Sequence, residues 1–162
     1  MIDETMALRL RCSVNGRERV DDVPARMTLA DYLRDVVGLT GTRLGCEQGA
    51  CGACTVLLDG KAVRACLMLA VQAEGMHVQT IEGLTAGGRL ADLQDAFHRH
   101  AALQCGFCTA GMLITADDAL RKDPAITREG VKRALTGHIC RCTGYQPIVD
   151  AIVEVAQERR HA

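Results

Sequence analysis

The chain carries nine cysteines in 162 residues, and their spacing constrains the fold more tightly than any hydrophobic pattern does. Eight of them fall into two groups of four: Cys46, Cys51, Cys54 and Cys66, then Cys105, Cys108, Cys140 and Cys142. The N-terminal stretch lacks a basic segment followed by an apolar core and a small-residue cleavage site, and Arg9 and Arg11 are not a twin-arginine pair. A cytoplasmic location is therefore expected, where thiols stay reduced and disulfides are rare. Metal is the better account of cysteines grouped in this way. Cys12 stands apart. It shares one face of an alternating stretch with Leu8, Leu10 and Val14, as a small core hydrophobe would.

Gly45-Cys-Glu-Gln-Gly-Ala-Cys-Gly-Ala-Cys54 holds three of the first four cysteines at C-x4-C-x2-C spacing, and Cys66 supplies a fourth. That is the spacing of a plant-type [2Fe–2S] loop. Four thiolates converging on two irons and two sulfides make a compact anion whose charge grows on reduction. Held away from water, it needs amide donors aimed at its sulfurs. Gly41, Gly45, Gly49 and Gly52 are expected to provide positive-φ turns that point those amides inward. The second group, a C-x2-C pair and a distant C-x-C pair, is less specific. From spacing alone it suits a four-thiolate zinc site, a redox dithiol at Cys105 and Cys108, although no βαβ pattern surrounds that last motif, or, less well for cysteines so grouped, buried thiols without a ligand.

Residues 7–14 alternate as a strand, Asn15-Gly16 is a hairpin turn, and 17–23 return. Thr28-x-x-Asp31 resembles a capping box that opens a helix with Leu29, Tyr32, Leu33, Val36 and Val37 on one face and Gly38 at its end. After the cysteine loop come strands at 55–58 and 61–65 around Asp59-Gly60, and a last strand at 77–81. Beyond Gly83 the signals turn helical: stripes at Leu90, Leu93, Ala96 and Phe97; at Leu113, Ala116, Ala119 and Leu120; a start at Thr127 with an Ile126/Val131 staple; and Ile148, Ile152, Val155 and Ala156 after Pro147. The expected class is α+β, with residues 1–83 as a sheet domain and 84–162 as a bundle of four short helices. The run Glu158-Arg-Arg-His161 reads as a solvated helix end, and His77, His98, His100 and His161 have no evident ligand partners.

The cysteine loop, Gln104-Cys-Gly-Phe-Cys-Thr109 with Gly111, and Cys140-Arg-Cys-Thr-Gly-Tyr145 together resemble the signatures of the iron–sulfur subunit of molybdenum hydroxylases, the xanthine oxidase family. The resemblance covers nearly the whole chain and is nearest the small subunits of heterotrimeric, carbon monoxide dehydrogenase-like enzymes. It implies a ferredoxin-like β-grasp domain followed by a four-helix domain. It also implies a second [2Fe–2S] cluster on Cys105, Cys108, Cys140 and Cys142, beside the pterin of a molybdenum cofactor, with the first cluster on Cys46, Cys51, Cys54 and Cys66 toward FAD. By position, Gln104 resembles the residue that hydrogen-bonds the pterin, and Cys142 the ligand nearest it. Two positions depart from the family pattern. Ala110 replaces the common proline, and His138 the common asparagine, where it is expected to be a surface residue or else a titratable group beside the cluster.

Nothing in the chain provides substrate chemistry: no Gly-x-Gly-x-x-Gly follows a strand and no nucleophile stands with a base. The resemblance therefore implies a large molybdenum-cofactor subunit and a medium FAD subunit as partners, often as a dimer of heterotrimers. The rival reading is a free-standing ferredoxin-like carrier with one cluster and a structural zinc. A net charge of −1 favours neither a nucleic-acid partner nor the strongly acidic face of a diffusible carrier. No apolar run approaches the ~20 residues that cross a bilayer.

Overall fold

Two hairpins build the N-terminal sheet. Strand β1 (Ala7–Val14) pairs with β2 (Arg17–Pro24), and Asn15 and Gly16 at φ 51° and 77° form the turn between them. Strand β3 (Thr55–Leu58) pairs with β4 (Lys61–Arg64) through Asp59 and Gly60 at φ 45° and 77°. Both turns take the positive φ that a two-residue type I′ connection demands. Strand β5 (His77–Gln79) lies parallel to β1 and antiparallel to β3, giving the order β2-β1-β5-β3-β4. A computed structural model describes residues 7–161; residues 1–6 and 162, with most of the N-terminal stretch read above for a leader, lie outside the described residues.

Between the hairpins, Thr28 caps α1 (Leu29–Asp31): its hydroxyl oxygen accepts from the Asp31 amide at 3.1 Å and donates to the Asp31 carboxylate at 2.6 Å. The helix continues as a wider π turn, Tyr32–Val36, closed by the Val37 amide on the Tyr32 carbonyl at 3.0 Å. That widening corrects the expected apolar face. Leu29, Tyr32 and Leu33 are fully buried, but Val36 is 39% exposed, because a five-residue turn rotates it off the stripe that 3.6-residue periodicity would keep. Cys12 is buried with Leu10 and Val14 of its expected strand face, beside Tyr32, while Leu8, expected on that same face, is 37% exposed.

The last strand ends earlier than expected. The Asn15 side-chain oxygen takes the Thr80 amide at 2.8 Å, and the chain turns into an unforeseen helix, α2 (Ile81–Ala86). Then follow α3 (Ala91–Arg99), α4 (Thr109–Lys122), α5 (Arg128–Ala134) and α6 (Gln146–His161). Thr127 caps α5 through the Gly130 amide at 3.2 Å. The architecture is thus α+β, a mixed sheet with six helices among the described residues. Alternation along β3 makes the sheet a shared wall: Val56 and Leu58 face the core around α1, while Leu57 packs with Leu93, Phe97, Met112 and Ile152 in the helical core.

Asp117, 1% exposed on α4, fastens these parts. Its carboxylate takes Arg89 at 2.5 Å, Arg121 at 3.2 Å and Arg159 at 3.7 Å, and Arg121 also donates to the Gly60 carbonyl at 3.0 Å. The C-terminal run is therefore not simply solvated, because Arg159 folds back onto Asp92 at 2.7 Å and onto Asp117. Removing a buried carboxylate from its cations costs about 3 kcal/mol, so Asp117→Ala should lower the thermal midpoint by several degrees. Asp22→Ala, which breaks the exposed Arg9 pair, should leave it unmoved; equal shifts would contradict the role given to Asp117.

Candidate metal centres

The first cysteine loop runs from α1 into β3. Gly49 and Gly52 have φ of 76° and 75°, and Glu47 joins them at 52°. The resulting curl points the amides of Gln48 and Cys51 at the Cys46 sulfur, at 3.4 and 3.3 Å. Those two donors hold the Cys46 thiol down to about 7. Gly41 and Gly45, expected to share the positive-φ role, do not. A side chain at Gly41 would collide with Ile81 and Glu82, and one at Gly45 would lie 3.2 Å from both the Cys51 sulfur and the Phe107 ring. They are glycine because other groups approach closely. Cys66 arrives from the turn after β4 to face Cys54, and burial pushes the Cys54 thiol up to about 11.

The second group is assembled by the helices. Cys108 sits at the N-terminal cap of α4, and Cys140 and Cys142 lie between α5 and α6. The Cys105 and Cys142 sulfurs are 3.5 Å apart, while Cys108 meets Cys140, with burial and that neighbour pushing the Cys108 thiol up to about 12. Burial opposes ionisation of Cys140 too, but the Thr143 hydroxyl at 3.1 Å and amide at 3.5 Å outweigh it and lower the thiol. The Phe107 amide lowers Cys105, and the shared contact with Cys105 raises Cys142.

Each group of four thus meets as two facing thiol pairs: Cys46 with Cys51 and Cys54 with Cys66, then Cys105 with Cys142 and Cys108 with Cys140. A two-iron cluster takes two thiolates on each iron, so the pairing fits it. No three His, Cys, Asp or Glu side chains among the described residues gather as a single ion would need. Gln104, Cys105 and Cys142 are exposed.

The two centres share a seam. The Ile139 amide donates to the Cys51 carbonyl at 3.0 Å. At Gly52 an added side chain would lie 2.3 Å from the His138 ring, and at Gly111, in the first turn of α4, it would lie 2.3 Å from the Gly52 carbonyl. His138 is consequently not a surface residue. It is 3% exposed, its Nε2 bonded to the Thr115 hydroxyl at 2.7 Å. Burial, then the Arg64 charge, hold its pKa down to about 4, so it is neutral at pH 7. Ala110 falls in the first turn of α4, where a helix amide has no intrahelical acceptor, so proline and alanine are interchangeable for hydrogen bonding. The parts played by Arg64, Thr115 and Ile139 left no signal in the sequence, since each is an ordinary residue whose partner is distant along the chain.

Residues 12–80 match the model of the 2Fe-2S iron-sulfur cluster binding domain, and residues 80–153 match that of the [2Fe-2S] binding domain. The chain is 57% identical to the nicotine 6-hydroxylase small subunit of Paenarthrobacter nicotinovorans, over 87% of this chain and 85% of that one. It is 50% identical to caffeine dehydrogenase subunit gamma of Pseudomonas sp. (strain CBB1), over 89% and 88%. The chain belongs to the iron–sulfur small subunits of xanthine oxidase-family molybdenum hydroxylases. A crystal structure of quinoline 2-oxidoreductase from Pseudomonas putida 86 superposes with a TM-score of 0.90 at 55% identity, over 96% of this chain and 98% of that one. As such a small subunit, the chain carries two [2Fe–2S] clusters, one in each matched domain, and the one-cluster carrier with zinc is not favoured. In the iron-free small subunit, alkylation near neutral pH should modify Cys46 well before Cys54 and Cys108, as read by peptide mass spectrometry. Labelling of Cys54 first would contradict the amide cage around Cys46.

Proposed function

We propose that this small subunit relays electrons singly from a molybdopterin site on a large partner, through the Cys105/Cys108/Cys140/Cys142 group and then the Cys46/Cys51/Cys54/Cys66 group, to FAD on a medium partner. A bound [2Fe–2S] cluster supplies one-electron acceptance, which splits the two-electron step at molybdenum into single transfers. The chain's own residues hold and bracket the clusters. Thiol pairs supply the ligands, amides of Gln48, Cys51, Phe107 and Thr143 stabilise the charge on particular sulfurs, and burial keeps water from Cys54, Cys66 and Cys108.

The single observation that carries the reading is the Ile139 amide on the Cys51 carbonyl. It joins a residue that bears one group's thiol to the neighbour of Cys140 in the other, so the two groups abut rather than standing at opposite ends of the chain. Exposure of Gln104, Cys105 and Cys142 supports the entry point, with Gln104 and Cys142 toward the pterin. The two domain matches meet at residue 80, which supports units at 1–83 and 84–162, a β-grasp domain and a bundle of α3, α4, α5 and α6. The assembly in this reading is cytoplasmic, a dimer of heterotrimers of the carbon monoxide dehydrogenase-like kind; no helix among the described residues is long and apolar enough to cross a membrane. Nicotine, caffeine and quinoline, which the relatives' names carry, are all nitrogen heterocycles, and a substrate of that class would be selected by the large partner.

In the assembled enzyme, Cys142→Ser should abolish reduction of the flavin by substrate while direct reduction of the flavin by an added electron donor continues. Persistent turnover with a flavin-linked acceptor would overturn the relay order. Gln104→Ala should slow the first transfer with iron content unchanged, and an unaltered rate would remove Gln104 from the pterin site.

A further inference from the structure

Arg64, the last residue of β4, is half-buried between the two centres. One terminal nitrogen donates to the Thr55 hydroxyl at 2.5 Å and the other to the Gly137 carbonyl at 2.7 Å. Thr55 follows Cys54 and passes its own hydroxyl proton to the Gly52 carbonyl at 2.6 Å. Gly137 stands in the turn that leads through His138 and Ile139 to Cys140. Both acceptors are neutral, and no ion pair of Arg64 with a carboxylate is found among the described residues.

A cation withdrawn from water without a counter-charge is unfavourable unless an anion lies within reach. The groups its contacts lead to are the thiols: Arg64 is two residues from Cys66, bonded to the neighbour of Cys54, and bonded to the turn before Cys140. A fixed cation stabilises a cluster more in its reduced, more negative state than in its oxidised one, and low local dielectric enlarges the difference.

We propose that Arg64 is a shared electrostatic anchor that raises the reduction potentials of both clusters together, so that both stay reducible while their order along the relay is preserved. It is a positioning residue for charge, held by Thr55 and Gly137. The first cluster, with two ligands near Arg64 along β3 and β4, responds more strongly than the second. This inference rests on the two-cluster relay.

The test uses the assembled enzyme, with both clusters followed by electron paramagnetic resonance during a redox titration. Arg64→Gln, which removes the charge and keeps a single amide donor, should weaken reduction of the first cluster about tenfold, 59 mV for one electron, and shift the second in the same direction by less. Arg64→Lys, which keeps the charge, should leave both within about twofold of the unmodified enzyme. Unmoved potentials in Arg64→Gln, a shift of one cluster alone, an equal shift in Arg64→Lys, or loss of iron from Arg64→Gln would each overturn the assignment, the last by marking Arg64 as a clasp of the loops. Only one cluster signal in the unmodified enzyme would instead defeat the relay itself, so the two failures are distinguishable.

Discussion

The backbone of Gly52 is where the two halves of the chain close on each other. The His138 ring and the Gly137 carbonyl press on its α-carbon from one side, and α4 rests at Gly111 on its carbonyl from another. No side chain fits at either glycine, so the loop that holds the first thiol group and the segments that hold the second meet backbone to backbone. The shared sheet wall, with Leu57 committed to the helical core and its neighbours to the other, keeps that contact in register. Asp117 and its three arginines lock the same arrangement from the far end of α4.

The electrostatics follow from this close approach. Two groups of thiolates brought near one another concentrate negative charge, and backbone dipoles aimed at particular sulfurs answer it. Amides face Cys46, Cys105 and Cys140, and the Thr143 hydroxyl reinforces one of them. Across the two groups the thiols differ widely in their readiness to ionise, from Cys46 near 7 to Cys108 near 12. Burial raises one set and amide donors lower another. Bound iron removes that difference by taking all of them as thiolates.

Much of this was legible in the residues. Cysteine spacing located both groups, Asn15-Gly16 and Asp59-Gly60 located the hairpins, and the capping residues Thr28 and Thr127 located two helix starts. These signals are local, since each depends on a few neighbouring residues. What escaped depends on contacts made across the chain. Val36 is exposed because a π turn widens α1 at a point no periodicity marks. Gly41 and Gly45 looked like turn residues, yet their constraint is the proximity of Glu82, Cys51 and Phe107. His138 looked like a surface substitution because its packing partners, Gly52 and Thr115, are far away in sequence. Arg159 looked solvated because its acceptor, Asp117, lies on another helix.

The central claim is that this chain holds two distinct two-iron centres at one seam. Its most direct test is iron, sulfide and zinc analysis of the purified small subunit together with electron paramagnetic resonance of the reduced protein. About four irons and four sulfides per chain, without zinc, and two distinguishable [2Fe–2S] signals are the expected result, following from two such clusters. Two irons with one zinc would contradict it and leave the second group of cysteines as a structural clasp.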